Sequence, residues 1–159
     1  GNTVDAAICI ESVCYAEGKD KAALIREMAR VLKPGGRLVV VDAFRKHNRP
    51  FPAFFEKLYR KNARLWAVDE LAHLRLFEKT LAGAGFQNIE VEDISWRAAP
   101  TALHIPVVVL KLWWSRFHKG RRLRPPQKDY IKALLLTLLL GLWTKHLGYF
   151  MVSAKRNAP

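Results

Sequence analysis

The chain is poor in the residues that build metal centres and nucleotide loops. It has two cysteines in 159 residues, and neither Cys9 nor Cys14 has a second pair or a histidine at ligand spacing, which argues against a metal site and fits a reduced, cytoplasmic chain. No G-x-G-x-G occurs. Gly35-Gly36 reads as a turn, and Gly83-Ala84-Gly85 follows a helical pattern instead of opening one, so neither replaces a glycine-rich cofactor loop. No apolar run approaches the roughly 20 residues that a transmembrane helix needs. No repeat or low-complexity tract is present; the given sequence opens on Gly1 and not on Met, so its lack of a signal peptide there excludes little about the intact protein. Acids are also few: 14 Asp and Glu stand against 27 Lys and Arg, a net charge of +13 and a pI near 10.1. Such a charge admits nucleic acid, an anionic membrane or an acidic partner. The chain lacks the aromatic and glycine signature of single-strand binding, which argues against nucleic acid.

What the chain does have is apolar content, at 50% hydrophobic residues, enough for one domain with a core. Val4 to Ile10 and Leu38 to Val41 are nearly continuous apolar runs, the pattern of parallel strands buried on both faces. Between them Leu24, Ile25, Met28, Val31 and Leu32 recur at helical spacing, and Pro34-Gly35-Gly36 then stops the helix and turns the chain. This is one βαβ unit. Pro52 opens a second helix through Trp66, and a third is expected from about Val68, with Asp69 as N-cap, to Gly83 or Gly85. Phe86 to Trp96 reads as a strand whose alternation slips at Asp93, marking a bulge or the strand's end there. Pro100 to Trp143 reads as two helical pieces broken by Gly120 and Pro125-Pro126, and Leu147 to Lys155 as the last strand.

Strand, acidic loop Glu11-Ser12, helix closing on Arg30-Val31-Leu32-Lys33-Pro34-Gly35-Gly36, and strand ending in Asp42 together resemble the class I S-adenosylmethionine-dependent methyltransferases. Ala84-Gly85-Phe86 and Gly148 to Lys155 match that family's later elements. The Glu11-Ser12 pair, with Tyr15 where relatives often carry His, resembles the subgroup acting on sterols, tocopherols, quinones and natural products. The resemblance implies an α/β, Rossmann-like methyltransferase fold. Its C-terminal half of the sheet would hold three parallel strands and an antiparallel last strand inserted between the second and third, with flanking helices. Residues 1–99 would form the second half of the core, 100–146 a helical lid and 147–155 the last strand. The family's glycine-rich loop and ribose-binding acid would lie upstream of Gly1, so the chain is expected to be inactive and to bind the cofactor poorly by itself. Its first strand would be an edge open to self-association.

By the same resemblance the cofactor is S-adenosyl-L-methionine, with Ile10, Glu11 and Ser12 beside its methionine part. Glu11 is the candidate to take the acceptor's proton or stabilise cationic charge, and Tyr15 to offer the sulfonium a π face or a hydroxyl. The alternative for Glu11 is a carboxylate satisfying backbone N–H groups at a helix start. Phe44, Trp66, Trp96, His104, Trp113 and Trp114 are candidates for an apolar acceptor pocket, with core packing the alternative for each. The basic residues Arg116 to Lys128, set between the apolar segments 105–114 and 131–143, suggest peripheral membrane contact, against a solvated basic loop between two helices. Two functions follow: part of an enzyme methylating a lipophilic small molecule, or a non-enzymatic methyltransferase half acting through its basic, apolar surface.

Overall fold

The computed structural model describes residues 1–102, 104–119 and 125–158, and the side chains of 112, 115–119 and 125 lie outside that description. The elements run β1 (Val4–Ile10), a 3-10 turn (Val13–Tyr15), α1 (Ala22–Val31), β2 (Leu32–Arg45), α2 (Ala53–Leu65), β3 (Ala72–His73), α3 (Leu74–Gly83), β4 (Phe86–Asp93), α4 (Ser95–Ala102), α5 (His104–Lys119), α6 (Pro125–Gly141) and β5 (Leu147–Arg156). One sheet carries the order β1-β2-β5-β4, with β1 parallel to β2 and β5 antiparallel to both of its neighbours. The last strand therefore lies between the second long strand and β4, as the sequence implies.

The apolar pattern explains the layers. Leu38, Val40 and Phe44 of β2, with Phe150 and Val152 of β5, form one face, buried under Ile25 of α1 and Phe77 and Leu81 of α3. Phe44 meets Phe77 and Phe150 edge-on, at centroid separations of 5.3 and 6.1 Å, the geometry that ring quadrupoles favour. A second cluster joins Phe51, Phe55 and Tyr59 to Leu140 of α6. The other sheet face is more open: Ile8 and Ile10 of β1 are 68% and 64% exposed. β1 is also an edge of the sheet among the described residues, as expected.

Three local expectations change. The chain does not turn away at Pro34. Leu32 already pairs with Val4, then Ala6 pairs with Arg37, so β2 carries three extra residues there and Lys33 to Gly36 bulge within the strand. Asp69 does not start α3; residues 68–71 carry no regular structure, Ala72–His73 form β3 and the helix begins at Leu74. The cause is tertiary: the Leu71 N–H donates to the Tyr59 hydroxyl at 2.8 Å, and the His73 N–H to the Lys19 carbonyl at 2.9 Å. The Lys21 ammonium, fully buried, donates to the carbonyls of Ala16 at 2.5 Å and Glu70 at 2.6 Å. In β4 the strand ends at Asp93, one of the two outcomes expected there, but the register irregularity falls earlier, between Gln87 and Glu90, where Asn88 has φ of 51°.

Lys21 ties the loop after β1 to the segment before β3. Lys21→Ala removes two hydrogen bonds and leaves a cavity, so urea unfolding should show a loss of about 2–4 kcal/mol. Within the bulge the two glycines differ. A Cβ at Gly36 would meet the Lys33 carbonyl oxygen at 2.8 Å and that of Asp5 at 3.1 Å, whereas Gly35 has open space but φ of +76°. Gly36→Ala should therefore cost about 1–3 kcal/mol and Gly35→Ala only the left-handed strain of about 1 kcal/mol, measured by the same unfolding curves.

Candidate functional site

In an open α/β sheet the ligand side lies beyond the carboxyl ends of the parallel strands. Here β1 ends at Ile10 and β2 carries Asp42 just past its pairing with Ile10. The Glu11 N–H still donates to the Val41 carbonyl at 2.9 Å, but its backbone turns left-handed, with φ of 47°. That conformation is costly for a residue with a Cβ and marks the point where the chain leaves the sheet. Val13 and Cys14 then point into the core while Glu11, Ser12 and Tyr15 stay exposed.

The turn is held from the neighbouring strand. Asp42, 3% exposed, accepts the Cys14 N–H on Oδ2 at 3.0 Å and its neighbour Ala43's N–H on Oδ1 at 2.7 Å. Burial raises its carboxyl above the usual aspartate value, while the N–H groups of Cys14 and Ala43 pull the other way. Asp42 thus takes the capping role that was the alternative for Glu11. Burial, reinforced by Asp42, pushes the Cys14 thiol up to about 11, so it is no thiolate nucleophile at neutral pH.

Glu11 has a different partner, one not foreseen from the sequence. The Tyr149 hydroxyl on β5 donates to Glu11 Oε1 at 2.9 Å. Tyr149 pairs with Ala43 and Ile10 with Val41, which places all four on the face opposite Asp42 and Phe44. Burial and the Glu11 carboxylate push the phenol above its ordinary range, so it stays protonated and acts as a donor. A signal for it existed: an antiparallel last strand beside β2 brings its first residues to the carboxyl edge, and Tyr149 is the third residue of that strand.

The remaining candidates scatter. Phe44 is fully buried between Phe77 and Phe150, a core residue and not part of an exposed rim. Trp66 ends α2 half-buried, its indole donating to Thr137 at 2.9 Å and its ring edge-on to Tyr130. Trp96 lies exposed on α4, and His104, Trp113 and Trp114 exposed on α5. Most of the basic run 116–128 lies outside the described side chains. An open groove lined by Lys19, Asp20, Leu76, Lys79 and Thr80 includes none of the site candidates. Beside the site, Arg45 stacks its guanidinium 3.9 Å from the Phe51 ring centroid and pairs with Glu70 at 3.0 Å, bracing the loop after β2.

Residues 1–40 match the model of a methyltransferase domain. The chain is 28% identical over 148 residues to a 2-methyl-6-phytyl-1,4-hydroquinone methyltransferase of Synechocystis, covering 87% of this chain and 45% of that protein. It is 32% identical over 111 residues to an S-adenosyl-L-methionine-dependent Diels-Alderase of Talaromyces variabilis, covering 67% and 37% respectively. The chain spans less than half the length of these two curated relatives. Among solved structures, a cyclopropane synthase of Mycobacterium tuberculosis superposes with a TM-score of 0.76 at 13% identity, over 97% of this chain and 56% of that one. The family match at the first βαβ unit, the curated relatives and the shared fold agree: the chain is similar to part of the class I S-adenosylmethionine-dependent methyltransferases.

Proposed function

We propose that the protein carrying this chain transfers a methyl group from S-adenosylmethionine to a lipophilic small molecule of sterol, tocopherol, quinone or natural-product type. The observation that carries the reading is the exposed Glu11 carboxylate, held by Tyr149 at the carboxyl edge of a methyltransferase sheet. The hydroquinone methyltransferase among the relatives supports the acceptor class. The cofactor, when bound, supplies an electrophilic methyl group on a sulfonium. The residues present fit its cationic end: the Glu11 carboxylate complements positive charge and the exposed Tyr15 ring offers a π face, with Ile10 and Ser12 flanking them.

Methyl transfer is an in-line displacement, so alignment and exclusion of water supply most of the catalysis. In this reading Glu11 receives the proton of an acceptor hydroxyl, or stabilises cationic charge, while Tyr149 holds one of its two oxygens. The left-handed backbone at Glu11 and the Asp42 cap below it fix where that carboxylate stands. The exposed Trp96 and Trp113 supply apolar area for the acceptor.

In the intact protein, Glu11→Gln keeps size and removes charge, and should lower kcat about 10²- to 10⁴-fold with little change in KM. Tyr149→Phe should lower kcat less, about tenfold, because it removes the hydroxyl donor that orients the carboxylate. Shortening Trp113 to Ala should chiefly raise KM, by about ten- to a hundredfold, if one large aromatic covers the acceptor. A loss under about tenfold for Glu11→Gln, with only the melting temperature changed, would make the carboxylate structural.

A further inference from the structure

Beyond the catalytic reading, and independently of it, the α5–α6 region carries an unusual surface. Residues 100–146 contain nine Lys or Arg and one acid, Asp129, so most of the chain's excess positive charge falls in this stretch of sequence. Among the described residues it exposes apolar side chains: Val107, Leu110 and Trp114 on α5, Leu135 and Leu139 on α6, and Leu142 just past the end of α6, 74% exposed.

The pattern on α6 is ordered. Ala133 and Leu140 are buried, and Thr137 receives the hydrogen bonds of Asn62 and Trp66, so this side faces α2. By the 3.6-residue repeat, Lys128, Lys132, Leu135 and Leu139 fall on the opposite side, and Leu142 follows just past the helix end. All five are exposed. That stripe is basic at its N-terminal end and purely apolar at its C-terminal end. On α5, Val107, Leu110, Lys111 and Trp114 repeat the combination at helical spacing.

We infer that the α5–α6 surface docks on an anionic lipid bilayer, its leucines and tryptophan seated among the acyl chains and its lysines at the phosphate level. Charge complementarity selects this occupant. A helix face with leucine and tryptophan beside lysine suits the interface, where the apolar side is buried and the ammonium groups meet anionic headgroups. An apolar protein partner would satisfy the leucines and leave Lys111 and Lys128, with Lys132 beside its partner Asp129, facing apolar surface. The helices lie on the bilayer and do not cross it, since among the described residues no helix is long and apolar enough to span. Docking would also bring a lipophilic acceptor to the same molecule, although the binding test needs no cofactor or acceptor.

Co-flotation of the full chain with vesicles tests the inference. Vesicles of phosphatidylcholine with about a quarter phosphatidylserine should bind the chain at least tenfold more tightly than pure phosphatidylcholine, each basic residue near the surface being worth about fivefold. Raising salt from about 0.1 M to about 0.5 M should remove most of that preference. The pair Lys128→Glu and Lys132→Glu should lower binding to anionic vesicles at least about tenfold, and the pair Leu139→Ser and Leu142→Ser should lower binding to both vesicle types by about tenfold. Thermal melts of these exposed-site variants matching the parent keep the comparison clean, and the salt titration needs no variant. A folded chain that ignores anionic vesicles overturns the inference, as does binding that both variant pairs leave unchanged. Concentration-dependent self-association abolished by the leucine pair overturns it as well, assigning the surface to a second copy of the chain.

Discussion

Pairing of β2 on both of its edges is the constraint on which the other elements depend. Val40 sits between Cys9 of β1 and Val152 of β5, so its backbone groups are satisfied by strands on either side and its side chain has only protein to pack against. A strand in that position must be apolar on its covered face, and Leu38, Val40 and Phe44 meet the requirement. Once they are buried, α1 and α3 have one place to put their own apolar stripes. The carboxyl end of the strand then delivers Asp42 beneath the loop that follows β1, and the site begins there.

Two acids close together in space perform separate tasks because their surroundings differ. Asp42 faces the core and spends its oxygens on the N–H groups of Cys14 and Ala43. Glu11 faces the open side, relieved of capping, and its carboxylate is oriented by a phenol instead of by backbone amides. A phenol kept protonated at neutral pH can donate to a carboxylate without competing with it for a proton. This division turns a strand end into a group poised toward solvent, in a fold where the reaction asks mainly for placement.

The molecule's charge is equally uneven. The core layers carry paired ions such as Arg45 with Glu70 and Lys46 with Asp93, whereas the helices between β4 and β5 combine cations with exposed leucine and tryptophan. Those helices hang on α2 through one stripe of α6 and leave the opposite stripe outward. Sheet and helical segment therefore meet their surroundings by different physics, one through apolar pairing and the other through a mixed basic and apolar surface.

The strands, their parallel sense and the apolar faces were legible in the sequence because continuous Val and Ile runs and helical spacing are local signals that burial reinforces. The Leu32 to Gly36 segment, with its resemblance to a known family, also carried the strand order. What the sequence alone left undetermined depends on partners distant along the chain. Asp69 looks like a helix cap, yet Lys21, Tyr59 and Lys19 hold residues 70–73 out of the helix through bonds that no local propensity encodes. Phe44 follows a strand end, where a rim residue is expected, but the side-chain alternation of β2 turns it into the core. Glu11 was identifiable as a loop acid, while its donor lies 138 residues away and reaches it only because β5 inserts beside β2. Composition and periodicity determined which segments could be buried; only the sheet's register decided which side chains meet at its carboxyl edge, because a contact across two strands is fixed by pairing and not by spacing along the chain.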